Sequence, residues 1–246
     1  MKPNLLFHTL EQIESTNNYA MGKIHEGLAV HGMAFFTSNQ TSGKGQRGKY
    51  WEGKPGENIA LSIVLTPNHD FVEFPFLFNA WIALICRSYL SKLINENVKI
   101  KWPNDIIIND RKAGGILIEN KFRGNYWCWS VVGVGINVNQ LEFSGEAKYP
   151  ISLKQISGKT YNLKDLARGL HTEILNAYQN VGQLNAGEIW KEYLQNLYKI
   201  GQDVFLKIKN EIIETTIVGV NETGQLMTKD IIERTLNFGE VEWIVS

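Results

Sequence analysis

Residues 38–57 form a turn-rich stretch between two apolar runs, 33–37 and 59–65, and this stretch restricts the fold more than any other part of the chain. Gly43, Gly45 and Gly48 stand at the spacing of a dinucleotide-binding turn, which works only when a strand precedes it and a crossover helix follows. Nine residues separate Gly48 from Asn58, and Gly53, Pro55 and Gly56 are among them. A parallel crossover takes about a dozen residues or more, so no helix fits and a dinucleotide-binding fold is excluded. The two runs read instead as strands flanking a loop long enough to be functional. Gly158-Lys159-Thr160 has the ending of a phosphate-binding loop, but that motif's first glycine would fall on Leu153. Both familiar nucleotide signatures are therefore absent.

Elsewhere the pattern mixes helices and strands. Ser15 or Thr16 can cap a helix that contains Ala20, Met21 and Ile24 and ends at Gly27. Helical spacing without glycine predicts the longest helix from Phe74 to Ile94, leaving through Asn95-Glu96-Asn97. Ile106–Ile108, Gly115–Glu119 and Tyr126–Asn139 read as strands, which brings the sheet to at least five. Leu163–Val181 and Glu188–Leu197 are helical patterns, and from Gln202 onward the chain turns to short β-rich runs. The expected boundary near Tyr198–Gly201 divides it into units 1–199 and 200–246.

Charge and composition remove several classes of function. Lys and Arg number 25 against 25 Asp and Glu, which excludes a globally basic nucleic-acid binder and confines any cationic role to a local cluster. The richest apolar stretch, Phe76–Cys86, is interrupted by Asn79 and falls well short of the roughly 20 residues that span a bilayer, so no membrane partner is expected. Leu5-Leu6-Phe7 is too short for the core of a leader, which predicts a cytoplasmic location. Cys86 and Cys128 are far apart, and His8, His25, His31, His69 and His171 lack ligand spacing, so neither a disulfide scaffold nor a zinc site is expected.

Three local clusters stand out against that neutral background. Ser42–Trp51 packs three glycines with Lys44, Arg47 and Lys49, a composition suited to an anion, with Trp51 able to stack on a base. A solvated loop with a core tryptophan is the plain alternative. Lys101-Trp102-Pro103-Asn104-Asp105 places a cation, an amide and a carboxylate before a strand, where Asp105 could hold Mg²⁺ and Asn104 could read a purine; a structural turn explains the spacing equally well. A hairpin over 106–119 would bring Lys112, followed by Gly114 and Gly115, back toward Asn104 and Asp105. Gly133-Val-Gly135-Ile-Asn137-Val-Asn139 repeats the theme of glycines in a strand with amides at its end.

In this order the segments Glu14–Asn17, Gln40–Trp51, Lys101–Asp105, Lys112–Glu119 and Gly133–Asn139, followed by a small β unit, resemble the biotin protein ligases. The resemblance implies an α+β fold: a mixed, mainly antiparallel sheet packed with helices, as in class II synthetases, plus a C-terminal SH3-like β-barrel. It implies ATP and biotin as substrates, Mg²⁺, and a biotin carboxyl carrier domain as acceptor. The expected biotin-binding set is Ser15, Thr16, Asn17, Gln40, Gly43, Arg47, Lys112, Gly114, Gly115, Gly133 and Gly135. The adenylate set is Lys44, Arg47, Lys49, Trp51, Asn104, Asp105 and Asn137. Lys112 and Arg47 would be catalytic, and Asp105 would meet the metal. The loop departs from many members by carrying Gln46 in place of arginine and lysine at two further arginine positions, and lysine lacks the planar fork of arginine. With fourteen residues before Ser15, no N-terminal DNA-binding domain and no DNA partner are expected, and the chain would act as a monomer or homodimer. A lipoate or octanoate ligase, or a nucleotide- or RNA-binding module, are the alternatives.

Overall fold

A computed structural model describes residues 6–143, 149–183 and 185–244. Of Leu5-Leu6-Phe7, the run read above as too short for a leader, Leu5 lies outside the described residues, whereas Leu6 and Phe7 are buried in the fold. Residues 6–137 and the helices that follow build around a seven-stranded sheet. Its strands are β1 (Phe7–Thr9), β2 (Ala34–Thr37), β3 (Asn58–Leu65), β4 (Val98–Lys101), β5 (Asp105–Ile108), β6 (Arg111–Arg123) and β7 (Tyr126–Asn137). They lie in the order β1-β2-β3-β7-β6-β5-β4. Only β1 and β2 run parallel; every other neighbouring pair is antiparallel. Seven strands agree with the expected minimum of five; the two that were not read, β1 and β4, are three and four residues long, too short to show an alternating pattern.

The two faces of this sheet carry different residues. On β3, Ile59, Leu61, Ile63 and Leu65 are fully buried on one face, each stabilising the fold by about 2 kcal/mol relative to exposure. They pack with Val132, Val134 and Ile136 of β7 in the main core. Across this core lies α3 (Pro75–Ile94), which starts on a proline and stops at Asn95, whose φ of 55° ends the helix in the left-handed region. Its length and apolar content alone would suffice for a bilayer span, yet half of its most apolar stretch is buried inside the molecule. The sheet covers one side of it, and α5 (Leu163–Gln179) and α6 (Ala186–Gln195) pack on it as well. Two short helices absent from the sequence reading, α2 (His69–Glu73) and α4 (Leu153–Ser157), precede α3 and α5; α4 opens on a capping box between Ser152 and Gln155.

The opposite face is only partly covered. Ser15 caps α1 (Thr16–His25), accepting from the Asn18 amide, and α1 lies over Phe35, Val64 and Val131 through Ala20, Tyr19 and Ile24. Cross-strand register continues this face from Val64–Val131 to Ser62–Gly133 and then to Ala60–Gly135. On β6 the matching positions are Leu117 and Gly115. Three glycines, an alanine and a serine on adjoining strands leave that patch almost without side chains, and a depression results.

The C-terminal unit is a five-stranded antiparallel sheet of β8 (Asp203–Ile208), β9 (Glu211–Val220), β10 (Leu226–Lys229), β11 (Glu233–Leu236) and β12 (Val241–Ile244), ordered β11-β10-β9-β8-β12. It is tied to the larger sheet by the buried Trp102, whose Nε1 donates to the Gly224 carbonyl at 2.8 Å. The proline after Trp102 thus presents Asn104 and Asp105 at a strand mouth while the indole itself serves as an anchor.

Candidate active site

The depression opens into a cleft of about 1290 Å³, bounded by the N-terminus of α1, the glycine loop, the β5–β6 hairpin and the edge of the C-terminal sheet. At its inner end a hydrogen-bond network is buried in the wall. Thr16 donates its backbone N–H to Gln40 Oε1 at 2.9 Å, and its hydroxyl lies 3.2 Å from the same oxygen. Ser62 Oγ lies 2.7 Å from Thr16 Oγ1 and 2.6 Å from Asn17 Oδ1. Asn17 Nδ2 donates to Glu119 Oε2 at 2.8 Å and to the Leu117 carbonyl at 3.2 Å. Asn17 sits so close to Gly133 that any side chain there would strike its amide.

One strand step outward, the Trp51 indole lies flat against Gly135, with Gly115 in ordinary contact with its edge. Beyond it is Lys112, whose Nζ is 2.5 Å from Asp105 Oδ1 and 5.8 Å from the centre of the Trp51 ring. Adjacent left-handed residues Asn109 and Asp110, with φ of 50° and 58°, turn β5 into β6 and so bring Lys112 back to Asp105. The Lys112 backbone is held on both sides, donating to the Tyr149 carbonyl at 2.8 Å and accepting from Ile151 at 2.9 Å. Asn104 Nδ2 donates to the Ile116 carbonyl at 2.6 Å. Asn137 spends its amide hydrogens on the Lys112 and Ile151 carbonyls at 3.2 and 3.3 Å, which leaves its oxygen as its remaining polar atom.

The glycine loop folds as a small hairpin, with Gly45 donating to Lys49 at 2.7 Å and Trp51 to Gly43 at 2.8 Å, around a tight turn at Gln46–Gly48. Lys44 reaches Asn18 Oδ1 at 2.6 Å, and Lys49 is exposed at the mouth. Arg47, in the left-handed region at φ 56°, also borders the cleft, but its guanidinium donates to the Gly239 carbonyl at 2.6 Å and lies over Phe238. Expected as a catalytic and ligand-binding group, it is here joined to the C-terminal sheet.

Of the seventeen residues singled out in the sequence, fifteen line this one cleft. Gly43 and Gly114 do not. Gly43 is buried behind the Trp51 backbone and the Gln40 amide, and Gly114 faces the other side of β6, against Gly135 O, Ile106 and Ile136. Several cleft groups escaped the sequence reading: Ser62 and Glu119 behind the inner end, and Asp110 and Tyr198 at the outer end. A hydrogen bond from the Tyr198 hydroxyl, followed by Lys199, holds the Asp110 carboxyl below the usual range, while burial and then Asp110 push Tyr198 up. Among the described residues no three His, Cys, Asp or Glu side chains form a metal cluster. Asp105 offers the cleft a single carboxylate, which is paired with Lys112.

Residues 9–137 match the profile described as the biotin/lipoate A/B protein ligase family, slightly more than half of the chain. The chain belongs to that family. Family relatives extend the likeness toward the C-terminus. The Bacillus subtilis "Bifunctional ligase/repressor BirA" is 25% identical over 233 residues, 92% of this chain and 70% of that protein. The Paracoccus denitrificans "Biotin--[acetyl-CoA-carboxylase] ligase" is 25% identical over 226 residues, 89% of this chain and 92% of that protein. Among solved structures, the biotin protein ligase from Aquifex aeolicus in complex with biotin and ATP superposes with a TM-score of 0.79 at 23% identity, covering 98% of this chain and 99% of that one. The family fold thus extends over both sheets, as the resemblance implied.

Proposed function

We propose that this chain is an ATP-dependent biotin protein ligase, with 1–199 carrying the chemistry and 200–246 bordering its phosphate end. The observation that carries this reading is the polar network at the closed end of the cleft. Thr16, Gln40, Ser62 and Asn17 offer donors and acceptors to a fused cyclic urea, whereas an alkyl chain or a dithiolane would leave them unpaired at a cost of about 1–3 kcal/mol per group. Ser15 borders the same end. From there the cleft leads outward past Trp51, which covers Gly135 and Gly115, to Lys112, so the acid's tail leaves Gly133 and passes the indole with its carboxylate at the lysine.

The reaction is a carboxylate attack on the α-phosphorus of ATP, which forms an acyl–phosphate bond and expels pyrophosphate. A lysine amine of the carrier domain then attacks the acyl carbon, forming an amide, releasing AMP and giving up a proton. Lys112 offsets the repulsion between the carboxylate and the phosphate, and Lys44 and Lys49 face the phosphates from the loop. Trp51 stacks on the adenine, with Asn104 and Asn137 at its edge. Mg²⁺ carried in on the phosphates would meet Asp105 and supply charge neutralisation. Fixed charges and backbone donors do this work without a covalent protein intermediate.

Pyrophosphate exchange into ATP tests the proposal, with biotin, lipoate, octanoate or no acid in parallel. Exchange with biotin alone is expected. Exchange only with lipoate or octanoate would keep the adenylation and overturn the substrate, and no exchange from folded protein would overturn the enzyme.

A further inference from the structure

Glu119 lies on β6 two residues beyond Leu117, behind the wall of the cleft, and is not among the residues that line it. Its carboxylate accepts from Asn17 Nδ2 at 2.8 Å. On the biotin reading above, we propose that Glu119 is a positioning residue that sets the hydrogen-bond polarity of the ring pocket and through it the preference for a cyclic urea.

The argument is a count of protons. A carboxylate and the Leu117 carbonyl both face one end of the Asn17 amide, and both only accept, so the NH₂ must lie there and Oδ1 must face Ser62. Ser62 has one hydroxyl proton and two partners, Asn17 Oδ1 at 2.6 Å and Thr16 Oγ1 at 2.7 Å. An amide oxygen cannot donate, so Ser62 gives its proton to Asn17 and accepts from Thr16. The Thr16 proton is thereby drawn inward, toward a partner nearer than the Gln40 oxygen at 3.2 Å, and its lone pairs are left for the cleft. Gln40 Oε1 is taken by the Thr16 N–H at 2.9 Å, so Gln40 presents its NH₂. One acceptor and one donor side by side are the complement of a urea's N–H and C=O. Reversing Asn17 would reverse Ser62 and Thr16 in turn.

Single and exchanged variants of Asn17 and Glu119 test this, read as KM for biotin and for ATP in pyrophosphate exchange. Asn17→Asp sets two carboxylates against each other, and Glu119→Leu removes the acceptor; each is expected to raise KM for biotin about tenfold or more while leaving KM for ATP within about twofold. The exchanged pair Asn17→Asp with Glu119→Gln restores one donor facing one acceptor and keeps an oxygen toward Ser62, leaving only the longer contact with the Leu117 carbonyl unreplaced. It should return KM for biotin to within about threefold of the wild type. Both Glu119→Leu and the exchanged pair should also show a changed or restored preference for biotin over 2-iminobiotin, whose guanidine group offers a donor where the urea has its carbonyl. A double variant no better than Asn17→Asp, or Glu119→Leu with unchanged KM and unchanged preference, would overturn the proposal. A wild type without biotin-dependent exchange would instead overturn the ligase reading on which it rests.

Discussion

Two glycines on one strand, Gly133 and Gly135, should respond to the same substitution in different ways. Neither has positive φ, so alanine fits the backbone at both, and the difference lies in what the new methyl meets. At Gly135 the Cβ would sit 2.7 Å from Trp51 Cζ2 and 2.8 Å from Nε1. Carbon contacts relax near 3.5–4.0 Å, so the ring must lift by about 1 Å. Trp51 closes a surface loop and is only partly buried, so it can do so. With about 0.4–1 kcal/mol gained by restricting the unfolded chain, the net stability change is close to zero. At Gly133 the Cβ would fall 2.9 Å from Asn17 Cγ, and Asn17 is held by Glu119, Leu117 and Ser62. Overpacking of about 1–3 kcal/mol and a disrupted buried hydrogen bond of about 1–3 kcal/mol leave a loss of about 1–6 kcal/mol after that gain. Urea unfolding followed by circular dichroism measures both. Pyrophosphate exchange should fall about 100-fold in each, since a displacement of about 1 Å at a reacting centre is enough for that. Equal destabilisation of the two variants, or full exchange by Gly135→Ala, would refute the assignment of the two contacts.

Lys112→Ala should lower pyrophosphate exchange about 100-fold by removing a fixed charge from the reacting oxygens, yet cost less than about 1 kcal/mol in urea, because its pair with Asp105 is partly exposed. Gln46→Arg adds a bidentate cation to the loop and is expected to lengthen retention of the acyl-adenylate about tenfold, measured as the half-life of labelled intermediate on the protein; an unchanged half-life would count against a phosphate role for the loop tip. His171 and His31 are both held below the ordinary histidine range by burial. The unfolded chain therefore binds protons that the folded one does not, and stability is complete above about pH 6.5 and is lost as pH falls below that. The melting temperature should drop between pH 7 and 5, with a shallower slope in His171→Gln than in the wild type.

What could be read in the sequence was what repeats or clusters. The long apolar helix 75–94, the strands 58–65 and 126–137 and the cation-rich loop all declare themselves through period or density. Ser62 did not, although a polar residue in the middle of β3, on the face opposite the isoleucines, was a usable signal. Glu119 sits at the end of an apolar strand, where a carboxylate ordinarily marks a solvent-facing exit, and only the fold brings it to Asn17, 102 positions away in the chain. Arg47 shows the converse: a correct expectation of where a cation lies says nothing of where its guanidinium points, since Gly239, 192 positions on, takes its hydrogen bond. Gly114 turns to the core face because it alternates with Gly115 along β6, so two adjacent glycines could not both have lined the cleft.

The alternation along β3 and β7 sets two unrelated tolerances into the same strands. Positions 59, 61, 63 and 65 require volume, whereas Ala60, Gly133 and Gly135 require emptiness. Enlarging Ala60 or Gly135 spoils ligand access while the protein stays folded, whereas enlarging Gly133 also costs stability through Asn17; trimming one of the first lowers the amount of folded protein. A library of random substitutions across 59–63 and 132–136, scored once for abundance and once for activity, should therefore show activity-specific losses with a period of two residues. The abundance score would trace the buried face, and the difference between the scores would trace the floor of the cleft.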